Sequence, residues 1–256
     1  MNAVRIVLVG FVLHLKMLSR SAFTGILGVI WPLFFATTAF FMFRTRHDPS
    51  ALLYASLGAS VMGIWSATSV TASSAIQRQR WEGTLEPIVA TPAHFSLVQL
   101  PIAIAMSTIG IYSMASTLLW GRLLFGIHLR MVHPLLFCLA VPVTIVSIGM
   151  LGFLLSVTVV RYRTAWALGN ALEYPIWLVC GFLVPLSLFP GWVRPISWAL
   201  APTWGVRAIR EAALGGSPLW DVAACAALGL GYGVIGALLV GTVLRSARAR
   251  ATLSLT

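Results

Sequence analysis

The chain has 256 residues, 59% of them hydrophobic and only 9% charged, against roughly 25% charged in an average soluble domain. So few charges cannot cover a free globular surface of this size, so a soluble protein is excluded and a bilayer is the expected solvent. Six acids (Asp48, Glu82, Glu86, Glu173, Glu211 and Asp221) face 17 bases, for a net charge of +11. The bases lie between long apolar runs rather than in one patch, which fits membrane topology and anionic headgroups and argues against nucleic acid. Cys138, Cys180 and Cys225 sit in apolar segments without CxxC or Cys/His spacing, so neither zinc nor a disulfide framework is indicated.

From the N-terminus, Arg5, Lys16, Ser19 and Arg20 fall on one side of a helical wheel, and the rest of 4–23 is apolar apart from His14. This reads either as a helix lying in the membrane interface with its bases toward phosphates, or as a ragged start to the first span. No small-residue cleavage site precedes that span, so a removed signal peptide is not expected. A spanning helix needs about 20 mostly apolar residues, and six segments qualify: 25–43, 51–75, 95–120, 135–159, 168–188 and 222–244. Residues 76–94 form the longest polar gap. The connection 189–221 is interrupted by Pro190, Pro195 and Pro202, which argues against a seventh span. The expected fold is therefore all-α and integral to the membrane, with six transmembrane helices in one domain. Six spans place both termini on one side, and the bases of the two tails (Arg5, Lys16, Arg20, Arg245, Arg248 and Arg250) favour cytoplasmic termini in a cell membrane.

Several chemistries drop out. The five histidines (His14, His47, His94, His128 and His133) lie near span ends or in loops, with no HExxH and no GxSxG opposite a mid-span histidine, so a hydrolase or metal centre is not expected. Lys16 is the only lysine, and its neighbours Leu15 and Met17 make no phosphate-binding loop, so ATP hydrolysis by this chain is not expected either. Energy must come from another subunit or an ion gradient. Glu173 is the one ionisable residue inside a span, with Asn170 on the same helical face at i, i+3. Three roles stay open for it: a hydrated or Arg161/Arg163-paired carboxylate near the cytoplasmic end, a helix-contact or cavity group, or a proton relay. One carboxylate is thin support for a gradient-driven pump, and the two halves do not look like repeats.

The most informative stretch is 76–92. Charges of both signs flank Trp81 and Gly83, Thr84 can start a short helix, and Glu86 and Pro87 suit its first turn. From physics alone this is either a docking element or a solvated loop. The run Arg78-Gln79-Arg80-Trp81-Glu82-Gly83-Thr84-Leu85-Glu86 closely resembles the motif that follows the second span in ABC-2 type transporter permeases. A second match joins the last two spans: Phe189-Pro190-Gly191-Trp192-Val193-Arg194-Pro195-Ile196, then Pro202-Thr203-Trp204, then Ala208 to Gly216. It is similar to the family's proline-started, arginine-containing helix ending in glycine. The residues agree with that reading: Thr203 is placed to cap, Arg207 and Glu211 to pair at i, i+4, and Gly215 to terminate.

The resemblance covers nearly the whole chain and divides it into an interfacial helix (1–24), spans one and two (25–75), a coupling loop (76–94), spans three to five (95–188), an outer re-entrant hairpin (189–221), span six (222–244) and a cytoplasmic tail (245–256). It implies a permease that pairs with a second copy or a paralogue and docks two separately encoded ATPase subunits. ATP and magnesium would sit on those partners, and this chain would carry no cofactor. By the same likeness Arg78, Arg80, Trp81, Glu82, Gly83, Thr84, Leu85 and Glu86 couple to the ATPase, Trp81 and Leu85 as apolar anchors. Pro190, Trp192, Pro202, Arg207, Arg210, Glu211 and Gly215 belong to the outer hairpin. A route near the first, second and fifth spans makes Phe34, Phe35, Trp65, Asn170 and Glu173 its candidate lining, and small residues in 57–74 would allow close helix approach there. The RWEGTLE form looks most like bacterial drug and antibiotic efflux permeases, with polysaccharide or lipid-linked glycan exporters the next branch. An ion-coupled secondary transporter using Glu173 is the competing class.

Overall fold

The structure, a computed structural model, describes residues 3–44, 49–81, 83, 87, 94–127, 131–159 and 165–249. Among these there is no strand. The elements are α1 (Ala3–Arg20), α2 (Ala22–Arg44), α3 (Pro49–Trp81), α4 (Phe95–Phe125), α5 (Pro134–Val159), α6 (Ala165–Val179), a 3-10 turn (Leu186–Leu188), α7 (Val193–Trp198), α8 (Ala201–Leu214) and α9 (Leu219–Ala249).

Helix α3 is the hub and packs against α2, α4, α5, α6 and α8. Every residue from 55 to 65 is buried, so this stretch has no solvent or lipid face, as expected for a helix apolar all round. Its small residues let neighbours come close: a Cβ on Gly58 would overlap the Phe182 carbonyl oxygen, and one on Gly63 would overlap Ser113 Oγ. On the facing helix a Cβ on Gly110 would lie 2.7 Å from the Ile64 Cα. Without a hydrophobic driving force in lipid, such close backbone packing is what holds membrane helices together. The small residues at 58 and 63 thus serve contacts within the chain. Polar bonds add to them: Trp120 Nε1 on α4 donates to Thr37 Oγ1 on α2 at 2.9 Å, and Ser147 Oγ on α5 donates to the Cys225 carbonyl on α9 at 2.9 Å.

Four helical stretches are long and apolar enough to cross a membrane among the described residues: Ser50–Ser69, Phe95–Phe125, Pro134–Val157 and Leu219–Thr242. They fall on the second, third, fourth and sixth expected spans. The first expected span lies within α2, whose described apolar part is the shorter Pro32–Phe41. The fifth differs from expectation. Apolar sequence continues to Leu188, but α6 stops at Val179, and its 15 residues rise only about 22 Å. Gly181, at φ 70°, turns the chain out of the helix, and Pro185 precedes the 3-10 turn. Hydropathy continues across this break because the unwound residues are themselves apolar.

The N-terminal helix α1 packs along α4, with Pro101 Cγ 3.1 Å from where a Cβ on Gly10 would stand. None of its residues is buried.

Candidate functional site

Two regions carry the expected functional residues. The first is the far end of α3. Its 33 residues span about 50 Å, longer than the roughly 30 Å of a bilayer's hydrocarbon core. Trp81 ends the helix six residues, about 9 Å, past the expected span 51–75, and Arg78 and Arg80 lie in that last stretch. Gly83 follows at φ 66°, exposed and with open space where a Cβ would project. Glu82, Thr84, Leu85 and Glu86, and with them the helix expected to start at Thr84, lie outside the described residues.

The second is the segment between α6 and α9. Pro202 sits in the first turn of α8, where its missing N–H costs nothing. The helix begins at Ala201, after extended Leu200, so Thr203 is inside it rather than its cap. The Thr203 hydroxyl instead accepts from Ser197 Oγ at 3.3 Å. Gly215, at φ 101°, ends the helix as expected, and the amides of Gly215 and Gly216 both donate to the Glu211 carbonyl. Two more terminal carbonyls, those of Ala212 and Ala213, accept from His133 and Val132. The last turn of α8 is thus tied to the α4–α5 connection.

Ten of the fourteen α8 residues are buried, against α3, α5 and α9. Gly205 makes this possible, since a Cβ there would stand 2.5 Å from Thr144 Cγ2. Among the buried residues is Arg210. Its Nε donates to the Tyr54 carbonyl at 3.3 Å, Nη1 to the Gly181 carbonyl at 2.8 Å, and Nη2 to the Phe182 carbonyl. The guanidinium carbon lies 3.5 Å from the centre of the Tyr54 ring. Burial pushes this group down to about 10, partly offset by Tyr54, so it remains a cation at neutral pH. The unwinding after α6 therefore has a use: it frees two carbonyls for the arginine.

Arg207 meets Glu211 at 4.0 Å, the expected i, i+4 pair, but its closer partner is the buried Asp221 of α9 at 3.3 Å. It also stacks on Trp204 at 5.0 Å. Trp192 is exposed, and Pro190 precedes the turn into α7. The α7–α8 joint is held by Tyr232, whose hydroxyl donates to the Ala199 carbonyl and accepts from the Ala201 amide at 3.2 Å. Tyr232 is thirteen residues into α9, so the joint lies about 20 Å along that helix from its start.

The candidate route residues divide. Phe34 and Phe35 meet edge-on at 5.8 Å, and Phe35 continues to Trp177 at 4.7 Å and Trp177 to Tyr174 at 5.0 Å. This aromatic chain joins α2 to α6, with Phe34 and Tyr174 at its exposed ends. Asn170 and Glu173 lie half-buried on α6 beside it, while Arg161 and Arg163 lie outside the described residues. Trp65 is fully enclosed in the chain's own core, in the same cluster as Trp177. Tyr54, Tyr232 and the carbonyls of Gly181 and Phe182 were not singled out from sequence. A tyrosine in an apolar run was the available signal, since its hydroxyl needs a partner when buried.

A helical bundle with membrane-length helices, and an amphipathic helix folded back against them, defines a polytopic membrane protein. The family profile described as ABC-2 type transporter matches residues 7–214, from α1 to the last residue of α8, and the chain belongs to that family. No curated protein matches it. Membership makes this chain the membrane component of an ABC transporter, a class powered by an ABC ATPase.

Proposed function

We propose that this chain is the permease half of an ATP-driven exporter, assembled as two permease chains with two ATPase subunits in a bacterial cell membrane. Six spans, counting α2 and α6, leave both termini in the cytoplasm. The observation that carries this reading is the reach of α3, which runs unbroken to Trp81 and carries Arg78, Arg80 and Trp81 up to about 9 Å past the expected span 51–75. A helix rigidly packed at one end and projecting at the other is a lever, so force applied at 78–86 reaches the core of the bundle. ATP closure of the partners drives the permease pair between inward and outward states. Trp81 and Leu85 insert as apolar anchors, and Arg78, Arg80, Glu82 and Glu86 set the register by charge. At the other end, the joint held by Tyr232 gives the 189–221 segment its re-entrant form. The route runs between two copies of the chain, beside the Phe34–Phe35–Trp177–Tyr174 face, and its aromatic lining suits a lipophilic or amphipathic substrate of the drug or antibiotic kind.

The test is a pull-down of the tagged full chain from native membranes. It should recover an ATP-binding subunit, and Trp81→Ala with Glu82→Ala should reduce recovery at least ten-fold. Recovery of no ATP-binding subunit would defeat the proposal, as would transport unchanged by the double substitution.

A further inference from the structure

Between the start of α3, the unwound segment after α6 and the pair α7–α8 lies a cavity of about 380 Å³, within the range of small-ligand sites. Three arginines line it, Arg194, Arg207 and Arg210, and no acid among the described residues does. Their situations differ. Arg207 is offset by Asp221. Arg210 is buried, yet its partners are neutral: three carbonyls and the Tyr54 ring. Those carbonyls take three of its five N–H groups. Arg194 is exposed, and its guanidinium has no ion pair or hydrogen bond among the described residues. Among the described residues the buried cation has no counter-charge and a second cation stands at the mouth of the same cavity, so these residues give the cavity a positive field.

Depth and surroundings narrow the ligand. Tyr54 stands four residues, about 6 Å, inside the point where the apolar stretch of α3 begins at Ser50. That is the level at which lipid headgroups meet hydrocarbon. The exposed large side chains nearby are Leu188, Trp192, Ile196, Trp198 and Trp220, and tryptophan is characteristic of that interface. The remaining lining is mostly apolar, with Pro185, Leu186, Trp198 and Val206 among it and Ser187 and Tyr54 as its polar members. We infer that this cavity binds a phosphate group, either that of a lipid headgroup with its chains along the tryptophan rim or free phosphate, with Arg194 as the group that makes the anion contact from the mouth. This site stands apart from the coupling proposal: it can fail while ATPase capture by 78–86 holds, and the reverse.

The experiment is a titration of the purified full chain in mild detergent, following its thermal unfolding midpoint, which a ligand raises by binding the folded state. The probes are dihexanoyl phosphatidic acid, inorganic phosphate, and dihexanoylglycerol, which has the same chains and no phosphate. A saturable rise with phosphatidic acid that inorganic phosphate does not reproduce at equal concentration assigns the lipid. An equal rise with inorganic phosphate assigns the free anion. In either case Arg194→Gln should weaken the response roughly ten-fold, while Arg122→Gln, an exposed arginine outside the cavity lining, should leave it unchanged. No saturable rise with either phosphate probe overturns the assignment. So does an equal rise with dihexanoylglycerol, or a response as strong in Arg194→Gln as in Arg122→Gln.

Discussion

Helices α1 and α8 are both amphipathic, yet the chain treats them in opposite ways. α8 buries ten of its fourteen residues, and its one buried cation finds four partners within the same chain. α1 buries none of its eighteen, and Val4, Leu8, Val9, Val12, Leu13 and Met17 are all exposed, with Arg5 near one end and Lys16 and Arg20 near the other. The lesson is that amphipathic pattern alone does not say what a helix faces. α8 is completed by the fold. The outer side of α1 keeps its large apolar side chains exposed.

This contrast can be broken in order of expected effect, each variant read as a shift in the unfolding midpoint of the chain in detergent micelles. Arg210→Met should cost most, about 3–5 kcal/mol, because it strands three carbonyls that the guanidinium satisfies. Arg210→Lys should recover less than half of that, since a point charge cannot replace the fork. Gly58→Ala should cost roughly 2–3 kcal/mol, because its methyl group would overlap the Phe182 carbonyl that faces Arg210. Tyr232→Phe should cost about 1–1.5 kcal/mol by freeing the Ala199 carbonyl and the Ala201 amide. The smallest effect belongs to α1: Leu8→Ser with Leu13→Ser should shift stability in micelles by less than about 0.5 kcal/mol. A loss there as large as for Arg210→Met would erase the distinction between the two helices.

The sequence made some of this legible. Hydropathy located the membrane-length helices, because length and apolarity are what a bilayer selects. Pro202 and Gly215 bracketed α8, because backbone geometry restricts those residues to helix starts and ends. The end of α6 was hidden by hydropathy, since Cys180 to Leu188 is largely apolar whether helical or unwound; Gly181 and Pro185 permit the break, and Arg210 uses the carbonyls it frees. Arg207 illustrates the other limit: spacing found Glu211, but the nearer Asp221 belongs to the next helix and no local pattern points to it. The charges at 78–86 were read by resemblance, and of these residues α3 contains Arg78, Arg80 and Trp81.

The central claim is that the far end of α3 meets an ATPase while the α7–α8 end does not. It is tested most directly by photo-crosslinking in native membranes, with p-benzoylphenylalanine placed at position 81 in one chain and at position 198 in another. The account predicts an adduct with an ATP-binding protein from position 81 whose yield changes when nucleotide is added, and none with that protein from position 198. An ATP-binding adduct from position 198, or none from position 81, would contradict it.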